Sequence, residues 1–137
     1  MTIGSIARDD ESADFFEGTA AGVLKVQRCA ECGHRQFPLT FAPSVLLCRA
    51  CGSAQLQWMP VSGLGSLITW THMHHKPTAD GTARTPTTIA VIELNEGPWV
   101  HAQLRSAPPN LQVGLRVAVE FDGPEGGESL PVFAPAD

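Results

Sequence analysis

The sequence predicts a mainly β fold in three parts: an N-terminal helix, a small cysteine-bound ribbon and a C-terminal five-stranded barrel. Three observations carry the prediction. Four cysteines fall as two C-x-x-C pairs, Cys29 with Cys32 and Cys48 with Cys51. Five short runs rich in β-formers follow Trp58. Eleven prolines and thirteen glycines in 137 residues demand many turns and argue against a helical bundle. A chain of this length fits one ordinary domain, or a small module joined to a slightly larger one.

In chain order, residues 1–8 read as a tail and Asp9 to Gly22 as one helix, with Asp and Ser at its start and Gly22 at its stop. Phe15, Phe16, Thr19 and Ala20 share one side of that helix at i, i+4 spacing. A helix this short is marginal alone in water. Its stripe must therefore pack on its own domain or dock on a partner, which makes Phe15 and Phe16 candidates for a partner surface. The cysteine module follows over 23–57. Beyond it, strands are expected at Gly65 to His75, at Thr87 to Leu94 (TTIAVIEL), at Trp99 to Leu104 (WVHAQL) and at Gly114 to Phe121. In the fourth run Leu115, Val117, Val119 and Phe121 alternate with Arg116, Ala118 and Glu120. Leu130 to Phe133 could add a short last strand. Asn95-Glu96-Gly97-Pro98 is a tight-turn signal, and Thr78 to Pro86 reads as a longer polar loop. Five short strands with one long loop suit the closed barrel of the OB-fold, with Gly63 and Gly65 where its first strand bends. The expected organisation is a tail and helix over 1–22, a ribbon over 23–57, an OB-fold over 58–122, and a Pro/Gly-rich acidic tail over 123–137 that could carry the last strand.

The formal net charge is −5, which weighs against a dedicated nucleic-acid binder, since phosphate neutralisation needs surplus Lys and Arg. Charge is unevenly spread, with only the segment 23–57 basic, through Lys25, Arg28, Arg35 and Arg49 against Glu31. The first ten residues lack the apolar run of a signal peptide, and no stretch approaches the ~20 apolar residues of a membrane span. The expected location is the cytoplasm, where paired cysteines are more often metal ligands than disulfides.

Cys29, Cys32, Cys48 and Cys51 form a C-x2-C-x15-C-x2-C pattern, within the spacing of four-cysteine zinc sites. Two cysteines three apart on a tight turn put both sulfurs on one side, and two such turns facing each other make a tetrahedron. Gly33 and Gly52, directly after the second cysteine of each pair, let the turns take positive φ. Four thiolates leave Zn²⁺ with a local charge of −2, and Arg28, Arg35 and Arg49 are placed to offset it. Iron suits the same tetrahedron. With every position filled by Cys no site stays open for catalysis, so the expected zinc is structural. His72, His74 and His75 form a second cluster that could bind a metal or phosphate, but no carboxylate ligand is spaced beside it; they also read as ordinary polar residues at a strand end. No G-x-S-x-G, P-loop, H-E-x-x-H or G-x-G-x-x-G is present.

Several short motifs together carry a resemblance. They are Phe15-Phe16-Glu17-Gly18 with Gly22 and Leu24; Gln27-Arg28-Cys29 with Cys32-Gly33 and Phe37-Pro38; Cys51-Gly52-Ser53 with Trp58; Val61-Ser62-Gly63-Leu64-Gly65; Thr71 and His74; and Glu93-Leu94 with Glu96-Gly97. In this combination the chain resembles a prokaryotic family of acyl-CoA-associated proteins that join a helix, a rubredoxin-like zinc ribbon and an OB-fold. Members of that family look like accessory subunits of thiolase-fold partners, among them thiolases and the thiolase-like retro-aldolases of steroid side-chain breakdown; some are joined to hot-dog-fold hydratases. The resemblance implies a non-catalytic subunit that supports a thiolase or thiolase-like aldolase, in steroid or fatty-acid side-chain degradation, with two copies on a partner dimer and acyl-CoA as a further ligand. Coenzyme A phosphates want basic residues, and Lys76 and Arg84, flanking the long loop, are the expected contacts. The sequence departs from the family pattern in having Arg49 where a proline often follows the third cysteine. Its Leu39 to Leu47 segment is also longer and more apolar. Leu39, Phe41, Val45 and Leu46 cannot all bury in so small a ribbon, and they either cover one end of the barrel or form a partner surface. The competing readings are a single-strand nucleic-acid-binding OB-fold protein, which would need a basic groove with stacking aromatics, and an enzyme built on the His cluster.

Overall fold

A computed structural model describes residues 6–10, 12–37 and 47–136. Its elements are α1 (Ala13–Ala20), β1 (Leu24–Cys29), β2 (Arg35–Gln36), β3 (Leu56–Val61), β4 (Leu64–Met73), β5 (Thr87–Leu94), β6 (Trp99–Leu104), β7 (Arg116–Asp122) and β8 (Leu130–Pro135). They form a three-stranded sheet in the order β2-β1-β3 and a closed five-stranded barrel in the order β4-β5-β6-β8-β7. The fold is therefore mainly β: one helix, a zinc-ribbon module and an OB-type barrel. Among the described residues no helix is long and apolar enough to cross a membrane.

The helix is shorter than the sequence suggests. Asp9 and Ser12 bond to each other, Ser12 N–H to Asp9 Oδ1 at 2.9 Å and Asp9 N–H to Ser12 Oγ at 3.1 Å. That reciprocal pair keeps Asp9 and Ser12 outside the helix, and α1 starts at Ala13. Nor does the preceding segment hang free at Arg8, whose guanidinium pairs with Glu17 on the helix and with Glu128 between β7 and β8. The hydrogen bond from Arg8 holds the Glu128 carboxyl below the usual carboxylate range.

Phe15 and Phe16 are not a docking surface. They are 4% and 7% exposed, in one core with Leu24 and Val26 of β1 and with Leu67, Ile92, Leu94, Val117 and Phe133 of the barrel. The Phe15 ring lies edge-on to Phe16 and Phe37, with centroids 5.2 and 5.6 Å away, and tilted against Trp58 at 5.8 Å. A two-turn helix has no stability of its own to spare, so its apolar stripe goes into the nearest core. The helix thereby cements the ribbon sheet to the barrel.

β3 belongs to the ribbon sheet, paired with β1 from Leu24↔Val61 to Cys29↔Leu56. The chain enters the barrel through Gly63 and Gly65. Gly65 sits in β4 between Leu94 of β5 and Val117 of β7. A Cβ there would lie 2.6 Å from the Glu93 carbonyl oxygen and 2.7 Å from an Ile92 methyl. That carbonyl belongs to a neighbouring strand and cannot retreat without opening the barrel. Gly65→Ala is expected to cost about 1–3 kcal/mol as an overpacking substitution, read as a lower urea midpoint; an unchanged midpoint would show that the strands yield there freely.

Candidate metal centre and partner surface

The two cysteine knuckles are built alike. In the first, Cys29 N–H bonds to the His34 carbonyl at 2.8 Å and Gly33 N–H to the Cys29 carbonyl at 3.0 Å. In the second, Cys48 N–H bonds to the Ser53 carbonyl and Gly52 N–H to the Cys48 carbonyl, both at 2.8 Å. Gly33 and Gly52 each take φ +78°, a conformation that disfavours any side chain. The first knuckle caps the β1–β2 hairpin, and the second leads into β3. Ala30 N–H joins them by a 2.8 Å bond to the Gln55 carbonyl.

This architecture brings Cys29, Cys32, Cys48 and Cys51 together, with all four sulfurs within 4.8 Å of one another. Cys29 and Cys51 Sγ are 3.6 Å apart, as are Cys32 and Cys48 Sγ. A tetrahedron with metal–sulfur bonds of about 2.3 Å has edges of about 3.8 Å, so the donor set fits one ion. None of the four cysteines is in a disulfide. Cys29 and Cys48 are buried and Cys32 and Cys51 exposed, so the site lies at the rim of the ribbon. The Cys32 N–H, 3.5 Å from Cys29 Sγ, leads the contributions that bring the Cys29 thiol down to about 6. At Cys51 the Ser53 amide also pulls downward, but desolvation and the three neighbouring sulfurs outweigh it and raise the thiol to about 12. A divalent cation must displace that proton, so metal affinity falls as the pH falls.

The basic residues of the ribbon have local work. Arg49 Nη2 donates to the Phe37 carbonyl at 2.9 Å, and Arg35 Nη1 to the Glu96 carbonyl at 3.3 Å across the ribbon–barrel joint. Sequence reasoning missed a pair of buried amides beneath the site. Gln27 and Gln36, each 3% exposed, face each other across β1 and β2. Nothing in their neighbours' hydropathy marks these two positions as buried.

The histidines do not converge on a metal site. His72 Nδ1 shares a 2.9 Å hydrogen bond with Thr88 Oγ1, and His75 Nε2 one of 2.7 Å with Thr87 Oγ1. His74 lies exposed beyond the end of β4. Among the described residues only the four cysteines could hold an ion in a group of three or more such ligands. Beside His72 opens a cleft of about 520 Å³, lined by Thr85, Thr88, Gln103, Arg105 and Ser106 among others. Lys76 and Arg84 are exposed on the β4–β5 loop and do not line it. Arg105 does, but its guanidinium is 2.9 Å from Asp122 and 3.6 Å from Glu120. The expected partner-surface residues Leu39, Phe41, Val45 and Leu46 lie outside the described residues. Leu47, which follows them, is 44% exposed.

Known proteins share this architecture. A DUF35 domain-containing scaffold protein of Pyrococcus furiosus is 34% identical over 99 residues, which cover 67% of this chain and 68% of that protein. The chain belongs to the DUF35 family. Residues 58–122 match the family described as ChsH2, C-terminal OB-fold domain. A solved DUF35 chain, described as the Ltp2-ChsH2(DUF35) aldolase, superimposes with a TM-score of 0.75 at 27% identity, covering 96% of this chain and 98% of that one. A probable enoyl-CoA hydratase alpha subunit of Thermomonospora curvata is 29% identical over 127 residues, 92% of this chain. This DUF35 chain spans only 38% of that subunit's length.

Proposed function

We propose that this DUF35 chain is a non-catalytic accessory subunit that binds and supports a thiolase-fold enzyme acting on acyl-CoA substrates, a thiolase or a thiolase-like retro-aldolase of steroid or fatty-acid side chains. The observation that carries the reading is the near end-to-end structural match to a chain described as part of an aldolase. The CoA chemistry named for the Thermomonospora subunit supports the substrate class. The four cysteines hold one Zn²⁺, which supplies structure alone because no coordination position is left for a substrate. Two copies sit on a symmetric partner dimer, and the apolar 39–46 segment, continued by exposed Leu47, makes the contact.

The single-strand nucleic-acid reading fares worse on the barrel surface. Trp99, 55% exposed, has the profile of a stacking residue, but its indole N–H donates to the Glu93 carboxylate at 3.0 Å. A negative charge fixed at the ring edge repels the phosphates that a stacked strand would bring. Arg116, nearby, is spent on Ser66 and Asn95.

Affinity capture of the tagged protein from its native cells, with mass spectrometry of what co-elutes, tests the proposal. A near-stoichiometric thiolase or aldolase is the expected result; a solitary protein, or one trailing RNA and single-stranded DNA, overturns it. In this reading Lys76 and Arg84 reach the coenzyme A phosphates. Each charge-assisted hydrogen bond is worth about 1.5–3 kcal/mol, so Lys76→Glu with Arg84→Glu is expected to weaken acyl-CoA binding to the partner complex by more than about tenfold. Unchanged affinity by calorimetry would remove both residues from the site.

A further inference from the structure

We infer that Gln36 is a positioning residue for the metal centre: its side-chain amide grips the backbone on both sides of Cys48 and sets that ligand against the first knuckle. The inference rests on the metal reading above. Gln36 ends β2 and is 3% exposed. Its Oε1 accepts the Arg49 N–H at 2.9 Å, and its Nε2 donates to the Leu47 carbonyl at 3.0 Å. Leu47 and Arg49 are the residues immediately before and after Cys48. One planar amide thus offers the peptide around a metal ligand the donor and acceptor that a neighbouring strand would offer.

The need for such a grip follows from how unequally the knuckles are held. The first is the tip of the β1–β2 hairpin. The second is anchored on its C-terminal side by β3, which pairs with β1. On its N-terminal side Leu47 and Cys48 lie in no strand. Among the described residues, and apart from the contact between the ligand sulfurs themselves, this limb is tied to the first hairpin by the Gln36 amide and by the Arg49 guanidinium on Phe37. Cys48 Sγ is 3.6 Å from Cys32 Sγ, so any drift of this limb opens an edge of the tetrahedron. A buried amide is costly unless both its ends are bonded. Here both are, and Gln36 Nε2 also lies 3.3 Å from Gln27 Oε1, which fixes which way the amide faces.

The experiment compares the full chain with Gln36→Leu, Gln36→Glu and Val26→Ala. Zinc affinity is measured by competition with a chromogenic chelator, and site geometry by the visible spectrum after Co²⁺ substitution. Gln36→Leu keeps the volume and loses both grips. It is expected to lower zinc affinity by about 10–100-fold, as removal of outer-shell partners does, and to alter the cobalt spectrum. Gln36→Glu keeps the acceptor for Arg49 but sets an oxygen against the Leu47 carbonyl and Gln27 Oε1 in place of the donor, and should lower affinity at least as much. Val26→Ala hollows the core beneath the same sheet while leaving the grips intact, and should lower stability with the spectrum unchanged. Gln36→Leu binding like wild type, or Val26→Ala altering the spectrum as much, overturns the inference. Should the leucine variant fail to fold, wild-type affinity in Gln36→Glu overturns it equally. A wild-type chain that takes up neither metal overturns the metal reading and this inference with it, whereas a normal wild type beside a normal Gln36→Leu overturns the inference alone.

Discussion

Cys48→Ser is expected to yield a chain without stoichiometric zinc and without a folded ribbon. A structural four-thiolate zinc contributes on the order of 10–16 kcal/mol of apparent binding energy, against a typical total stability of about 5–15 kcal/mol for a domain. No packing in the ribbon can make up that difference. Its sheet has three strands, one of them two residues long, and beneath the cysteines β1 and β2 bury the two glutamines Gln27 and Gln36. The damage should also spread, because Phe15 and Phe16 pack on Val26 of β1 and on barrel residues within one core. When β1 loosens, the helix loses half its bed and the barrel end is uncovered. The measurement is metal content by mass spectrometry together with limited proteolysis and thermal unfolding. The wild type should carry one zinc per chain and resist cleavage within 47–57. The variant should carry none, be cut there, and unfold at a much lower temperature. Equal protease resistance in the two proteins would reject the structural role of the metal. Wild-type protein purified with one iron in place of zinc would keep that role and change the ion.

The second large effect concerns the C-terminus. Truncation after Asp122 should abolish the folded barrel, although 123–137 reads by composition as a tail. β8 lies between β6 and β7 and closes the barrel. It pairs with β7 from Val117↔Pro135 to Asp122↔Leu130, and touches β6 in parallel at Leu104↔Phe133. Phe133, 1% exposed, is the largest of the fully buried side chains among the described residues. A milder version of the same test is Phe133→Ala, expected to cost about 3–5 kcal/mol as a cavity in the core. Urea unfolding followed by tryptophan fluorescence reads both. A truncated chain that still unfolds cooperatively would mean that the remaining four strands close without β8.

Much of the barrel was legible because its strands announce themselves locally. Thr87–Leu94 and Trp99–Leu104 occupy the bounds that alternation and the intervening Glu-Gly-Pro turn predict. β7 is displaced by only a residue or two, since its alternating apolar side chains can face inward in one register alone. β4 ends two residues before the expected His75, where the chain leaves β5 for the long loop. The metal site was legible for the same kind of reason. Each knuckle is a closed turn whose ligands and glycine lie within five residues, so spacing encodes its geometry.

What stayed hidden depends on residues that meet from distant parts of the chain. The spacing of Cys29, Cys32, Cys48 and Cys51 by itself determined that two knuckles would face each other, and the β-period by itself placed β5 and β6 and, to within a residue or two, β4 and β7. Only the tertiary structure decided that Phe15 and Phe16 bury in the chain's own core, that Arg8 is tied to Glu128, and that Gln36 lies against the backbone around Cys48. The physical reason is the range of the forces. Turn geometry and strand pleat are set by neighbours in the chain, whereas burial and the partner of a polar side chain are set by whichever segments the folded core brings against it.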